Sequence, residues 1–380
     1  MNEVVLNDIC ELIVDCPHST AYDEGSGYPL VRTPNIGRGR LIYSGMHRVC
    51  EEVYNKRNAR AIPQTNDLIF AREATAGNVA LIREGEKVCL GQRTVLIRPN
   101  ANLVNPAFLT YHLLAPEQQY KLLSTANGAT VAHVNMPTIR NLKLSLPPLA
   151  TQHRIATILS RYDSLIENYQ KQIKLLEEAA QRLYKEWFVD LHFPGHENTN
   201  IVDGVPEGWE KKKVGEISEF KRGKTITKKD IVEGHVPVVA GGLEPAYYCN
   251  KHNTASRVIT ISGSGANAGF TRLYYEKVWA SDCSFADTNT TKWLHFVYCF
   301  LQSSKSAIDN MQKGAAQPHV YAKDINALDI MVPEAGLLSR FEDFASTYFN
   351  KVQSLQSQLH LLTEARDRLL PKLMSGEINI

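Results

Sequence analysis

The chain has 380 residues, which at roughly 100–200 residues per domain leaves room for two or three domains, each able to bury its own core. Charged residues make up 22% and apolar ones 43%, so neither wholesale disorder nor a fibrous repeat fits. Lys plus Arg number 42 against 40 for Asp plus Glu, and a net charge of +2 gives no global affinity for nucleic acid, so any such contact has to come from local patches.

Residues 1–14 carry Glu3, Asp8 and Glu11, and the first basic residue is Arg32, so the positive n-region of a signal peptide is missing. No run approaches the ~18 consecutive apolar residues needed to cross a bilayer, so no membrane association is expected. Seven cysteines (Cys10, Cys16, Cys50, Cys89, Cys249, Cys283, Cys299) are odd in number and include no C-x-x-C pair, which reads as reduced thiols in a cytoplasmic protein. Cys10, Cys16 and His18 lack a second ligand pair, so no metal site is expected there.

Between residues 31 and 60 stand Arg32, Arg38, Arg40, Arg48, Lys56, Arg57 and Arg60 against only Glu51 and Glu52, a cationic stretch suited to phosphates. An apolar strand from Leu68 then runs into a Gly-rich turn ending at Gly77, with Glu86-Lys87-Val88 after it. Gly128-Ala129, His133-Val134 and the apolar series Ile139, Leu142, Leu144, Leu146 lead to Pro147-Pro148. These tandem prolines are flanked by Leu146 and Leu149, so they do not form the Asp/Asn-Pro-Pro-Tyr/Phe loop of amino-methyltransferases.

From Thr151 to Phe188 there is neither Gly nor Pro, and apolar residues fall on two seven-residue ladders. One is Ile155, Tyr162, Tyr169, Leu176, Leu183, and the other is Leu159, Ile166, Ile173, Ala180, Trp187. Their alternating spacing of four and three is the a/d seam of a coiled coil. So narrow a stripe suits a partner helix better than a globular surface.

Beyond a linker over 191–206, the chain opens a second cationic stretch. Lys211, Lys212, Lys213, Lys221, Arg222, Lys224, Lys228 and Lys229 stand there against five acids. Gly223-Lys224-Thr225 has the tail of a phosphate-binding loop, but its first glycine is replaced by Ser218. The strand-like run Val258 to Ile261 leads into Gly263-Ser264-Gly265-Ala266-Asn267-Ala268-Gly269. That run has one residue too many for the dinucleotide fingerprint and reads as a tight loop. Arginines beside glycines, Arg38, Arg40, Arg72 and Arg222, are the foremost candidates for reading base edges, because a bidentate fork reaches guanine and glycine permits close approach. With Arg32, Lys221, Lys224, Ser264 and Asn267 they form the candidate DNA-binding set; His133 and His319 read as packing or turn residues.

The sequence then repeats itself. Gly314-Ala315 and His319-Val320 lie 186 residues after Gly128-Ala129 and His133-Val134, and the offset holds without a gap through Ile325, Leu328, Ile330, Val332 and Pro333 to Leu361-Leu362, Glu364-Ala365 and Arg368-Leu369. The second seam, Phe341, Tyr348, Leu355, Leu362, Leu369 with Ala345, Val352, Leu359, Leu373, is interrupted only by Arg366. The chain is a tandem duplication of a variable module and a more similar helix, and the simplest partner for each seam is the other. Paired antiparallel, the two would hold their modules at opposite ends of a rod, a ruler suited to groove faces recurring about every 34 Å on duplex DNA.

This organisation closely resembles the specificity subunit of type I restriction-modification systems along the whole chain. The resemblance is carried by Leu146-Pro147-Pro148-Leu149 with Gln152 and Ile155, by Arg182-Leu183 through Trp187-Phe188, by Pro206-Glu207-Gly208-Trp209-Glu210, by Gly314 through His319, and by Leu369-Leu370-Pro371-Lys372-Leu373-Met374-Ser375-Gly376-Glu377-Ile378. The first module departs from it, lacking the Pro-Glu-Gly-Trp opening; Val4-Val5-Leu6-Asn7-Asp8-Ile9 takes up the pattern directly. The resemblance implies an α+β chain in which two globular α/β target-recognition domains are separated by two long antiparallel coiled-coil helices in a pseudo-two-fold repeat. The corresponding bounds are 1–147 and 207–333 for the domains, 148–190 and 334–380 for the helices. It also implies a non-catalytic reader of double-stranded DNA, each domain taking one half of a bipartite asymmetric site. Two modification subunits using S-adenosylmethionine would methylate adenine N6, and restriction subunits would use ATP and Mg, with no cofactor held by this chain. The polar helix faces bearing Lys171, Lys174, Glu177, Lys185 and Glu186 are candidates for the modification-subunit interface. The competing reading is a coiled-coil scaffold whose heads bind protein.

Overall fold

The computed structural model describes residues 2–124, 133–312 and 318–380; the repeated Gly128-Ala129 and Gly314-Ala315 lie outside them. The chain forms two compact units, one of Met1–Glu167 with His360–Ile380 and one of Asn168–Leu359.

In the first unit a four-stranded antiparallel sheet has the order Cys10–Asp15, Thr94–Pro99, Leu68–Ala71, Val79–Leu81. Leu68–Ala71 is apolar at every position because both of its faces are covered. Leu68 and Phe70 enter one core cluster with Val95 and Ile97, while Ile69 and Ala71 enter another with Leu96, Val31 and Leu90. The second cluster lies against a three-stranded sheet in which Tyr28–Val31 pairs antiparallel with His47–Val49 and parallel with Cys89–Leu90. Asn2–Val5 pairs separately with Lys143–Leu146.

The second unit repeats this arrangement strand for strand. Its four-stranded sheet runs Lys221–Arg222, Cys283–Asp287, Val258–Ser262, Thr271–Tyr274. Its three-stranded sheet joins Val236–Val239 antiparallel to Tyr247–Cys249 and parallel to Trp279–Ala280. Glu210–Lys213 pairs with Asp329–Val332. The register of the first strand is now fixed: Asn2 opposes Leu146 as Glu210 opposes Val332, and Leu6 N–H donates to Leu142 O at 2.9 Å as Val214 N–H does to Leu328 O at 2.9 Å.

Two long helices follow the modules, Leu149–Phe188 and Ala335–Ser375. Pro147 and Pro148 precede the first, where proline costs no helical hydrogen bond. Pro148 O accepts from Thr151 and Gln152 N–H at 2.9 and 3.0 Å, and the buried Gln152 side chain ties Pro147 O to Asn105 N–H.

Within the first unit, Ile155, Ala156 and Leu159 near the start of the central helix share a core with Leu370, Leu373 and Met374 near the end of the C-terminal helix. Within the second, Ala180, Tyr184, Trp187 and Phe188 share one with Leu337, Leu338, Phe341, Ala345 and Phe349. In each unit the start of one helix thus shares a core with the end of the other. Of the seam residues, Ile155, Leu159, Ile166, Ala180, Trp187, Phe341, Ala345, Val352, Leu355 and Leu373 are buried, whereas Tyr162, Tyr169, Ile173, Leu176, Leu183, Tyr348, Leu359, Leu362 and Leu369 are half-buried. Tyr184, Phe188 and Phe349 lie off the ladders yet are buried, because their helices also pack on the module: Phe188 meets Phe296 edge-on at 4.9 Å, and Phe349 stacks on His295 at 5.0 Å.

His112, on the helix Pro106–Leu114, is only 3% exposed, with its ring stacked on Phe108 and Nδ1 3.4 Å from Met374 Sδ. Burial pushes its pKa down to about 4. Because the unfolded imidazole takes a proton first, stability is full above about pH 6.5 and falls as pH drops towards 4. The stability advantage of wild type over His112→Leu should shrink by on the order of 2 kcal/mol between pH 7 and pH 5 in denaturant melts. An unchanged gap would mean that the ring is not buried as a neutral group.

Candidate nucleic-acid interface

The cationic stretch of the first module divides into side chains that hold the fold and side chains left at its surface. Arg57 is buried, and its guanidinium donates to Leu90 O at 2.6 Å, Ser19 O at 3.0 Å and Pro17 O at 3.4 Å. Arg60 donates to Asp15 O at 3.0 Å, Arg48 to Gly27 O at 3.0 Å and Arg32 to Gly45 O at 3.1 Å. Five donors in a rigid fork make arginine suited to gathering loop carbonyls.

Arg72 requires a correction. It is 7% exposed, and its Nη1 meets Asp15 Oδ2 at 2.7 Å while its Nε donates to Val134 O at 3.0 Å. Its Nη2 lies 2.8 Å from His133 Nε2, whose other ring nitrogen is 2.6 Å from Glu73 Oε1; Glu73 in turn pairs with Arg93 at 2.8 Å. Since the guanidinium can only donate, Nε2 carries the lone pair and the ring proton sits on Nδ1 towards Glu73. Arg72 leads into the turn that ends at Gly77, and its guanidinium serves the interior rather than a base edge.

Arg38 and Arg40 flank a turn at the surface. Gly39, at φ +92°, donates to Val79 O at 2.7 Å and stitches that turn to the strand Val79–Leu81. Arg38 Nη2 donates to Leu114 O at 2.9 Å. Arg40 approaches Glu167 at 3.2 Å, and Arg83, which sequence reasoning did not single out, grips the same carboxylate at 2.7 and 2.6 Å. These two guanidinium groups, Arg83 foremost, hold the Glu167 carboxyl below its usual range. Two guanidinium groups share one carboxylate here, with Glu86 and Asp163 also acting on Arg83.

In the second module, Lys221 and Arg222 are exposed on a short edge strand paired with Phe285 and Ser284. A Cβ on Gly223 would lie 2.3 Å from Ser281 O, so only glycine lets this edge run against its neighbour. Lys224 N–H donates to Ala280 O at 2.9 Å, and its carbonyl accepts from Trp279 Nε1 at 2.7 Å. Gly223-Lys224 is therefore sheet edge, with the exposed Lys224 side chain beyond it. The lysines at 211–213 are matched locally: Lys211 and Lys213 pair with Asp329 at 3.0 and 2.6 Å, and Lys212 pairs with Glu210 at 2.6 Å.

Gly263 to Gly269 is the tight loop of a hairpin between antiparallel strands, closed by Ser262 N–H on Phe270 O and Gly269 N–H on Ser262 O, both at 2.9 Å. Ser264 Oγ bonds the Asp282 carboxylate, and its backbone bridges to His319. Asn267 is half-exposed at the end of a single 3-10 turn. Nearby, Arg272 donates to Leu243 O at 2.9 Å and lies over the Tyr274 ring at 4.8 Å. Leu243 and Tyr248 are more than half exposed. Aromatic and basic residues interleaved over 243–274 were the signal that could have drawn attention to this surface.

The family model of the type I restriction modification DNA specificity domain matches residues 1–178 and 206–337. The chain belongs to this family. The match takes in both modules, most of the central helix and the first turn of the C-terminal one. Among relatives, the chain is 26% identical to the type I restriction enzyme MjaIX specificity subunit of Methanocaldococcus jannaschii, over 99% of this chain and 93% of that protein. It is 22% identical to the type I restriction enzyme HindI specificity subunit of Haemophilus influenzae, over 75% and 80% respectively. Its fold is similar to that of the type I restriction-modification S subunit from M. genitalium, with a TM-score of 0.63 at 19% identity, covering 98% of this chain and 95% of that one. That likeness in fold takes in both modules and both long helices of this chain. Among the described residues no helix is long and apolar enough to cross a membrane, and no group of three or more His, Cys, Asp or Glu side chains could hold a metal ion.

The division among the arginines is testable. Arg72→Ala should cost about 3 kcal/mol of stability by taking the buried guanidinium from Asp15, His133 and the Val134 carbonyl at once, whereas Arg222→Ala should change it by less than about 0.5 kcal/mol. Calorimetric melting of both variants checks this; equal losses would contradict the burial of Arg72.

Proposed function

We propose that this chain is the sequence-reading subunit of a type I restriction-modification complex, in which each module takes one half of a bipartite, asymmetric site on double-stranded DNA. The observation that carries the reading is a strand order repeated in two modules with different surfaces. One scaffold used twice presents Arg38, Arg40 and Arg83 in the first copy and Lys221, Arg222 and Lys224 in the second, so the two halves of the target would differ. Residues 1–147 and 207–333 act as recognition domains, 148–190 and 334–380 as the helices that set the unspecified spacer, and 191–206 as their link. Arg32, Ser264 and Asn267 join the contact set through loops at the module surfaces, and the seam residues act by holding the helices together.

In this reading the chain performs no chemistry. Its phosphate-loop-like segment is a sheet edge and its glycine-rich loop a hairpin. Two modification subunits, using S-adenosylmethionine to methylate adenine N6, dock on polar helix faces such as those bearing Lys171, Lys174, Glu177, Lys185 and Glu186. Restriction subunits using ATP and Mg complete the assembly in the cytoplasm.

Footprinting of the chain together with its modification subunits should protect two short segments at fixed separation. The affinity should fall steeply as salt rises from 50 to 200 mM, because released counterions report phosphate contacts. Protection without sequence preference would overturn the reading, and salt-insensitive association would favour a scaffold whose heads bind protein. Inserting matched heptads into both long helices should lengthen the spacer while leaving both half-sites unchanged.

A further inference from the structure

The offset of 186 residues maps the central helix onto the C-terminal helix, and with it each seam layer of one unit onto a layer of the other. Ile155 and Leu159, clustered with Leu373 and Met374, become Phe341 and Ala345, clustered with Trp187 and Phe188. One layer breaks the correspondence. In the first unit Asp163 Oδ1 accepts from Arg366 Nη1 at 2.8 Å and its Oδ2 accepts from Tyr111 Oη at 2.5 Å, with the Asp163 and Arg366 side chains only 16% and 21% exposed. The equivalent positions in the second unit are Phe349 and Ala180, both fully buried in an apolar core.

We propose that this unequal layer selects the partner of each long helix, admitting the central helix beside the C-terminal helix and rejecting a second copy of itself. The apolar ladders alone cannot make that choice, because the two helices carry the same heptad pattern and either could close a seam with its own duplicate. An antiparallel pair of central helices would set Asp163 of each copy opposite Ala180 of the other, and a pair of C-terminal helices would set Arg366 opposite Phe349. A pair of central helices buries two Asp163 carboxylates with no guanidinium to meet them, and a pair of C-terminal helices leaves each Arg366 only Asp367 of its own helix, whereas in the native seam the carboxylate holds both a guanidinium and a phenol. A single polar position fixing partner and register in an otherwise apolar seam is the use for which such groups are best attested. Arg366, the one interruption of the second ladder, is therefore a specificity element against exchange between two copies of this chain.

The mispaired geometry has its own reporter. In an antiparallel seam of two central helices, Gln172 would lie at the centre, beside Gln172 of the second copy. The full chain carrying Gln172→Cys and Cys50→Ser is expected to stay uncrosslinked under mild oxidation. Adding Asp163→Phe with Arg366→Ala, which gives the first unit the second unit's layer, should raise the disulfide-linked dimer at least ten-fold. Reversing the pair, Asp163→Arg with Arg366→Asp, should leave it uncrosslinked. Equal crosslinking with and without the apolar layer, or none in an apolar-layer variant that melts cooperatively, would overturn the proposal, as would crosslinking in the reversed variant. Should Asp163→Phe prevent folding, Asp163→Leu with Arg366→Ala supplies the same apolar layer with a smaller side chain.

Discussion

The structure depends on cores that neither copy of the repeat closes alone, because each takes in part of the other copy's long helix. The first unit buries Leu6, Phe70, Phe108 and Ile155 together with Leu370, Leu373 and Met374 from the far end of the chain. The second buries Ala180, Tyr184 and Trp187 against Phe341 and Phe349, contributed by the other helix. A helix with an apolar stripe at heptad spacing has to cover it, and each stripe here is covered by the other one. Because burial of this area is the main favourable term in folding, the long helices are integral to both modules' stability.

This constraint separates what could be read in the amino-acid order from what could not. The ladders, the repeat and the strand Leu68–Ala71 are periodic or continuous apolar patterns, and such patterns are dictated by burial. The central helix expected over 151–188 forms as Leu149–Phe188, and in each unit the start of one long helix shares a core with the end of the other, as in an antiparallel pair. Tyr184, Phe188 and Phe349 escaped notice because their burial answers a neighbour outside the seam, a module helix bearing Phe296 and His295. No heptad count contains that information.

Charge was less legible than apolarity for a related reason. An arginine's local sequence is the same whether its guanidinium faces solvent or gathers loop carbonyls; what differs is where distant chain segments end up. Arg72 is set by Asp15 and Val134, Arg57 by Ser19 and Leu90, and Arg40 by Glu167, all remote in sequence. The lysines at 211–213 likewise find Asp329 across a strand pair. Patches that looked cationic in one dimension are partly neutralised in three, and the surviving surface charge is smaller and more local than counting suggested. An overall charge of +2 is thus compatible with modules whose remaining cations are confined to particular edges and turns.

The two modules show which features of the scaffold can vary without loss of the fold. Their sheets share strand order and direction, yet the edge place taken by six residues, Cys10–Asp15, in one sheet is taken by two, Lys221–Arg222, in the other. Strands such as Leu68–Ala71 and Val258–Ser262 are buried on both faces and admit little but apolar or small residues. Edges and connecting turns meet no such demand, since their side chains project from a frame already secured from behind. The frame and the surface are thereby separated: packing fixes the frame from within, and the side chains of edges and turns lie where packing does not choose them.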